Sequence, residues 1–145
     1  DDPIRLKNVF SAFSEAPMPV VIPLHPRTKK KLAENNISLN GQIKTIDPLG
    51  YLDMVELEKN AHIIATDSGG VQKEAFFYGV PCITLREETE WIELVKSGAN
   101  ILVGSDKEKI MNSMVKNFNK FSTKKLYGEG TSANLIIKKI IKVFN

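Results

Sequence analysis

The chain has 145 residues, 42% hydrophobic and 26% charged, with 20 basic against 17 acidic side chains and a net charge of +3. That is enough for one domain with a real core; the composition excludes a disordered or fibrous chain, and the charge is too mild to point to a nucleic-acid partner. Its single cysteine, Cys82, excludes an internal disulfide, no apolar run reaches membrane-spanning length, and Asp1-Asp2-Pro3 lacks a signal peptide's basic and apolar stretches, so a cytoplasmic protein is expected.

Asp2 and Pro3 predict a helix start, aspartate as cap and proline at the first helical position, with Leu6, Val9, Phe10 and Phe13 on one face. Residues 19–24 read as a short apolar strand and 28–35 as a lysine-rich helix. A second strand follows at 43–46, and Asp47-Pro48 opens a helix that turns Tyr51, Leu52 and Val55 inward. A third strand at 62–66 leads to a helix at 71–78, which Gly79-Val80-Pro81 ends before a fourth strand at 82–85 with Cys82 buried on it. An acidic stretch and a short helix precede a fifth strand at 100–103. Two helices close the chain, one carrying Ile110, Met114, Val115 and Phe118, the other Ile136, Ile137, Ile140 and Phe144. Lysines near the end, Lys124-Lys125, Lys138-Lys139 and Lys142, read as the wet face of a helix.

Strands of four to six apolar residues alternating with helices predict an α/β fold: a three-layer, Rossmann-like parallel sheet flanked by helices. Such a domain normally opens with a strand, and this one opens with a helix, so its first strand is expected to be absent from residues 1–145. The third strand runs into Thr66-Asp67-Ser68-Gly69-Gly70-Val71-Gln72-Lys73-Glu74-Ala75. One capping residue and one glycine suffice for a strand-to-helix turn. A second glycine also lets a ligand approach the first-turn amides, where the helix dipole favours a phosphate. A capped turn and a phosphate site both fit this stretch. Its place at a strand's carboxyl end, where open α/β sheets bind ligands, favours the second.

Taken with Pro23-Leu24-His25-Pro26, Asp47-Pro48, Gly79-Val80-Pro81, the stretch from Leu85 to Glu93, Leu102-Val103-Gly104 and Tyr127-Gly128-Glu129-Gly130, this segment closely resembles the non-hydrolysing UDP-N-acetylglucosamine 2-epimerases over the whole chain. The resemblance implies a two-domain enzyme of glycosyltransferase-B architecture, this chain being similar to its C-terminal, UDP-binding half. Such enzymes invert carbon two of UDP-N-acetylglucosamine by eliminating UDP and adding it back, with neither a metal nor another cofactor. Ser68, Gly69 and Gly70 match the family's diphosphate loop, and Glu74 the acid that binds the ribose hydroxyls. Leu49 and Met54 belong to the wall near the uracil. His25 matches a histidine associated with a regulatory site, although a histidine that only bonds a neighbouring loop fits equally. Arg86 matches the arginine after the fourth strand, free to pair with phosphate or with Glu90.

No catalytic residue is expected on this chain, because the family's catalytic carboxylates lie on the N-terminal domain and its His-Arg-x-x-Asn motif falls before Asp1. The chain alone is therefore expected to bind UDP without epimerising it, and the full-length enzyme to form a homodimer serving cell-surface polysaccharide synthesis. Trp91-Ile92 departs from the common arginine and proline, so the arginine's ligand role does not transfer to Trp91, which is read as an anchor for the short helix. This version resembles a branch acting on modified substrates such as UDP-diacetamido-uronic acids. Two readings compete with the epimerase: the donor half of a UDP-sugar glycosyltransferase, and a non-catalytic nucleotide-binding module.

Overall fold

A computed structural model of the chain describes residues 2–118, 121 and 126–144. Asp2 caps α1 (Pro3–Ser14), accepting from the Ile4 amide at 2.8 Å, and Pro3 occupies the first turn, where no N–H is required. The order then runs β1 (Val20–Pro23), α2 (Pro26–Glu34), β2 (Ile43–Ile46), α3 (Tyr51–Lys59), β3 (Ile64–Thr66), α4 (Gly69–Tyr78), β4 (Cys82–Thr84), α5 (Ile92–Lys96), β5 (Asn100–Leu102), α6 (Lys107–Met114) and α7 (Ser132–Phe144). Each crossover carries a helix, as parallel neighbours require.

All strand pairing is parallel. β1 pairs with β2, Val20 opposite Ile43, while β3, β4 and β5 form a second sheet in that order, with Ile64 opposite Cys82 and Cys82 opposite Asn100. Successive side chains alternate between layers. Ile83 faces Phe10 and Phe13 of α1 and Ile110 and Met114 of α6, whereas Ile64 and Cys82 pack with Ala75 of α4 on the other face. The expected layering of helices on both faces of parallel strands is thus present.

Between β1 and β3 the sheet is interrupted by a cavity of about 1170 Å³, bordered by residues of both strands and by Phe10, Phe13, Met54, Leu57 and Met114. The Val20 amide is bonded to the Gln42 carbonyl just before β2, the Leu24 amide to Ile46 of β2, and that of Ile64 to the loop before β4, so strand alternation turns the backbone of Val21, Ile63 and Ala65 towards the cavity. Two facing parallel edges, unpaired among the described residues, flank the space where a further strand is expected.

Several local expectations are corrected. α3 starts at Tyr51, capped by the Gly50 backbone rather than Asp47, and Tyr51 and Leu52 are outward at 68% and 77% exposure. The residue this helix buries is Glu58. α2 begins at Pro26, with His25 as its cap, and α4 begins at Gly69. α6 ends at Met114, leaving Val115 exposed. The apolar residues of α7, expected inside, are all exposed, Ile140 at 51% and Phe144 at 83%. Lys124 and Lys125 lie outside the described residues. No described helix is long and apolar enough to cross a membrane.

Candidate functional site

β3 ends at Thr66, whose hydroxyl accepts a hydrogen bond from the Ser68 amide at 3.0 Å and so tightens the turn into α4. Ser68 is the cap: its backbone is extended, its Oγ accepts from the Val71 amide, and its carbonyl accepts the helix's opening bond from the Gln72 amide at 3.1 Å. The amides of Gly69 and Gly70 precede that first bond and lie in the turn where the helix dipole is positive. Ser68 and Gly70 are exposed, as a ligand-binding turn must be.

The two glycines differ in their surroundings. A side chain at Gly69 would run into the Glu90 carboxylate and the Trp91 indole, whereas Gly70 has only the Ser68 Oγ nearby, at 3.7 Å. Gly69 therefore serves the packing of the loop at 86–91, whose Trp91 Nε1 donates to the Gly69 carbonyl at 2.9 Å. Gly70 leaves open space, and it is the surplus glycine.

A buried polar network fixes that loop to α4. Gln72, fully buried, accepts through Oε1 from the Thr89 hydroxyl at 2.7 Å and from Asn100 Nδ2 at 3.1 Å, and Asn100 Oδ1 accepts from the Thr84 hydroxyl at 2.9 Å. The Trp91 amide closes the chain on Thr89 Oγ1 at 3.1 Å. Three strand or helix ends and one loop thus share four side chains, in surroundings that strengthen each bond. On the outer side of α4, the Lys73 ammonium stands 3.6 Å from the centre of the Trp91 ring and 4.6 Å from that of Tyr127. The Tyr127 hydroxyl donates to Glu93 at 2.7 Å, a bond that lowers the pKa of Glu93; burial, with this bond, raises that of Tyr127.

Glu74, half-buried, lies further along the same helix as Ser68. Arg86 borders the cavity together with Thr66 and Asp67 and pairs with Glu90 at 3.2 Å; Arg5 of α1 borders it too, bonded to Glu87 at 3.0 Å. Met54 of α3 reaches the cavity, while Leu49 stands in the exposed turn before that helix. His25 is exposed and caps α2, its Nδ1 accepting from the Arg27 amide at 3.2 Å, a local structural task that needs no ligand. Cys82 is buried, and burial pushes its thiol up to about 12, far from a nucleophile's range. Trp91 does anchor the start of α5 against Phe76 and Leu94, and also reaches the candidate phosphate turn.

The sequence profile of the family described as UDP-N-acetylglucosamine 2-epimerase matches residues 1–141. The chain belongs to the UDP-N-acetylglucosamine 2-epimerase family. It is 43% identical over 148 residues to the UDP-2,3-diacetamido-2,3-dideoxy-D-glucuronate 2-epimerase of Pseudomonas aeruginosa, covering 99% of this chain and 41% of that protein. A UDP-N-acetylglucosamine 2-epimerase homolog from Methanococcus maripaludis is 49% identical, over 92% of this chain and 39% of its own length. The solved structure of UDP-GlcNAc 2-epimerase from Methanocaldococcus jannaschii superposes with a TM-score of 0.82 at 42% identity, covering 98% of this chain and 42% of that one. The chain thus spans about two fifths of the length of the epimerases it matches. The family and the parallel α/β architecture read from the sequence are borne out.

Proposed function

We propose that this chain is the UDP-binding domain, residues 1–145, of a two-domain sugar-nucleotide 2-epimerase that converts UDP-N-acetylglucosamine to UDP-N-acetylmannosamine. The observation that carries the reading is the turn at Ser68–Gly70. It combines first-turn amides, an exposed capping hydroxyl and open space over Gly70, and it stands at the carboxyl end of β3. The related enzyme from Methanocaldococcus jannaschii has been solved in complex with UDP-GlcNAc and UDP, which supports a nucleotide at the corresponding surface. In this reading the Ser68 hydroxyl and the two glycine amides receive the diphosphate and stabilise the charge on UDP as it leaves. Glu74, further along α4, accepts from the ribose hydroxyls. Met54 and Leu49 flank the uracil, and Arg86 exchanges Glu90 for a phosphate oxygen.

The rest of the enzyme supplies the proton-transferring groups. Two features support a missing portion: the edges of β1 and β3, unpaired among the described residues, which fit one further parallel strand, and α7, whose apolar side chains have no cover among the described residues. A right-handed crossover favours a position for that strand immediately before α1, since α1 then returns the chain to β1. The full-length enzyme is proposed to be a cytoplasmic homodimer, with light scattering as the check on its mass.

One observation favours a modified substrate: the Pseudomonas aeruginosa relative is named for a diacetamido-glucuronate sugar, and Lys73 stacks on Trp91, the residue that the resemblance sets where the common form of the family has an arginine. Proton NMR of the full-length enzyme with UDP-N-acetylglucosamine tests the primary reading. Appearance of the manno epimer, abolished or strongly slowed by Glu74→Ala, is the expected result. Turnover only of the diacetamido-uronic sugar selects the second reading. Transfer of the sugar to an acceptor, with glycoside and no epimer, overturns both.

A further inference from the structure

Glu58 is an acid with no assigned task. It is 3% exposed, it borders the cavity between β1 and β3, and neither carboxyl oxygen has a hydrogen-bond partner among the described residues. The groups around it offer no compensation. Glu74 and Tyr78 face it from α4, Glu74 adding repulsion; Cys82 on β4 lies close, and the neighbouring Lys59 stands over the Tyr78 ring at 5.5 Å. Burial, then the Glu74 charge, pushes the Glu58 carboxyl up to about 7. A buried, unpaired acid is among the more expensive features a fold can carry, and a leucine or methionine at this position would complete the apolar wall formed with Met54 and Leu57.

We propose that Glu58 receives a hydrogen bond from a donor side chain on the strand that fills the cavity, so that the carboxyl fixes how that strand seats in the sheet. The proposal rests on the reading above that a further segment of the same polypeptide occupies this space. The strand's own amides are directed sideways to Val21, Ile63 and Ala65, within the plane of the sheet. What meets Glu58 from the layer of α3 and α4 is therefore a side chain of the strand, one that points to the same face as Ile64 and Cys82. Hydroxyl, amide and cationic side chains all qualify as the donor. As Glu58 lies, its carboxyl oxygens are shielded from the cavity as well as from solvent, so the bond is made with a turn of the Glu58 side chain towards the strand.

The test is thermal unfolding of the full-length protein at pH 7.5 with three substitutions. Glu58→Met removes the acceptor and keeps the volume; Glu58→Gln keeps an acceptor; Ala65→Phe adds bulk at the cavity wall. If a strand with a donor is in place, Glu58→Met orphans that donor and lowers Tm by about 5 °C, Glu58→Gln stays within about 2 °C, and Ala65→Phe overpacks and lowers Tm. If Glu58→Met leaves Tm unchanged or raises it while Ala65→Phe lowers it, the cavity is filled but the donor is absent, and this proposal fails alone. If Ala65→Phe is neutral or stabilising, the cavity is empty, and both the proposal and the strand reading beneath it fall.

Discussion

Gly69 and Gly70 stand side by side and answer to different neighbours. Gly69→Ala turns aside the flexible Glu90 carboxylate and shifts the Trp91 indole slightly, so a loss of about 1 kcal/mol or less in unfolding free energy is expected in urea titrations, with a change in Trp91 fluorescence. Gly70→Ala meets open space at a helix start, and its stability is expected to stay within about 1 kcal/mol of the parent. If the diphosphate comes down onto this turn, the added methyl nevertheless weakens UDP binding about tenfold or more by calorimetry. Equal affinity for UDP in the Gly70 variant would move the diphosphate elsewhere. At Glu74, loss of the charged acceptor in Glu74→Ala is expected to weaken UDP and uridine alike by about 1.5–3 kcal/mol, because the ribose is common to both.

Glu58 carries a pH signature at the same scale. Its folded-state pKa, about 7, lies above the ordinary 4.5, so the folded 145-residue chain holds this proton more tightly than the unfolded chain does. Its contribution is fully present below the ordinary value and is lost as pH rises towards 7, by roughly 3 kcal/mol in all. Urea midpoints of this chain and its Glu58→Gln variant, compared at pH 4.5 and pH 8, are expected to diverge as the parent weakens. In the full-length protein a donor on the added strand should flatten that difference.

Between elements, the loop at 86–91 is held to α4 by the Gln72 network and the Trp91 indole rather than by a strand or helix of its own. Thr89→Val removes a donor to Gln72 and orphans the Trp91 amide, and is expected to cost about 1–3 kcal/mol, with UDP affinity falling as the turn loosens. Fluorescence of Trp91, the chain's only tryptophan, reports that loosening directly. The elements were legible where a local rule had one answer. Asp2-Pro3 read as a cap and first turn, and the β4 residues Cys82 and Ile83 as strand core, because local chemistry decides both. The buried face of α3 is not legible along the chain: side-chain type favours Tyr51 and Leu52 inside, whereas rotation of the helix against the cavity buries Glu58. The network of Thr84, Gln72, Thr89 and Asn100 left no motif, since its members are ordinary residues far apart along the chain.

For the whole molecule, the cavity and α7 describe a chain whose hydrophobic surfaces are incompletely paired. Seven large apolar side chains of α7, from Leu135 to Phe144, are exposed at 51–83%, a contiguous face of the kind that soluble monomers seldom keep. The isolated 145-residue chain is accordingly expected to bind a hydrophobic dye such as ANS and to aggregate in light scattering, and the full-length protein to bind no dye and to grow no larger than the proposed dimer. It is also expected to show no epimerase turnover if, as proposed, the proton-transferring groups belong to the rest of the enzyme. Turnover by the isolated chain would require them to be found among residues 1–145.

The sequence by itself determined the family, the alternation of parallel strands and helices, and the turn at Ser68–Gly70, because each rests on short-range order: apolar periodicity, capping chemistry and ordered motifs. Only the tertiary structure decided which glycine makes room for Trp91 and which faces open space, where the sheet is interrupted, and that an acid sits unpaired beside the interruption. Those depend on distances between residues tens of positions apart, set when layers pack, and no local pattern along the chain encodes them.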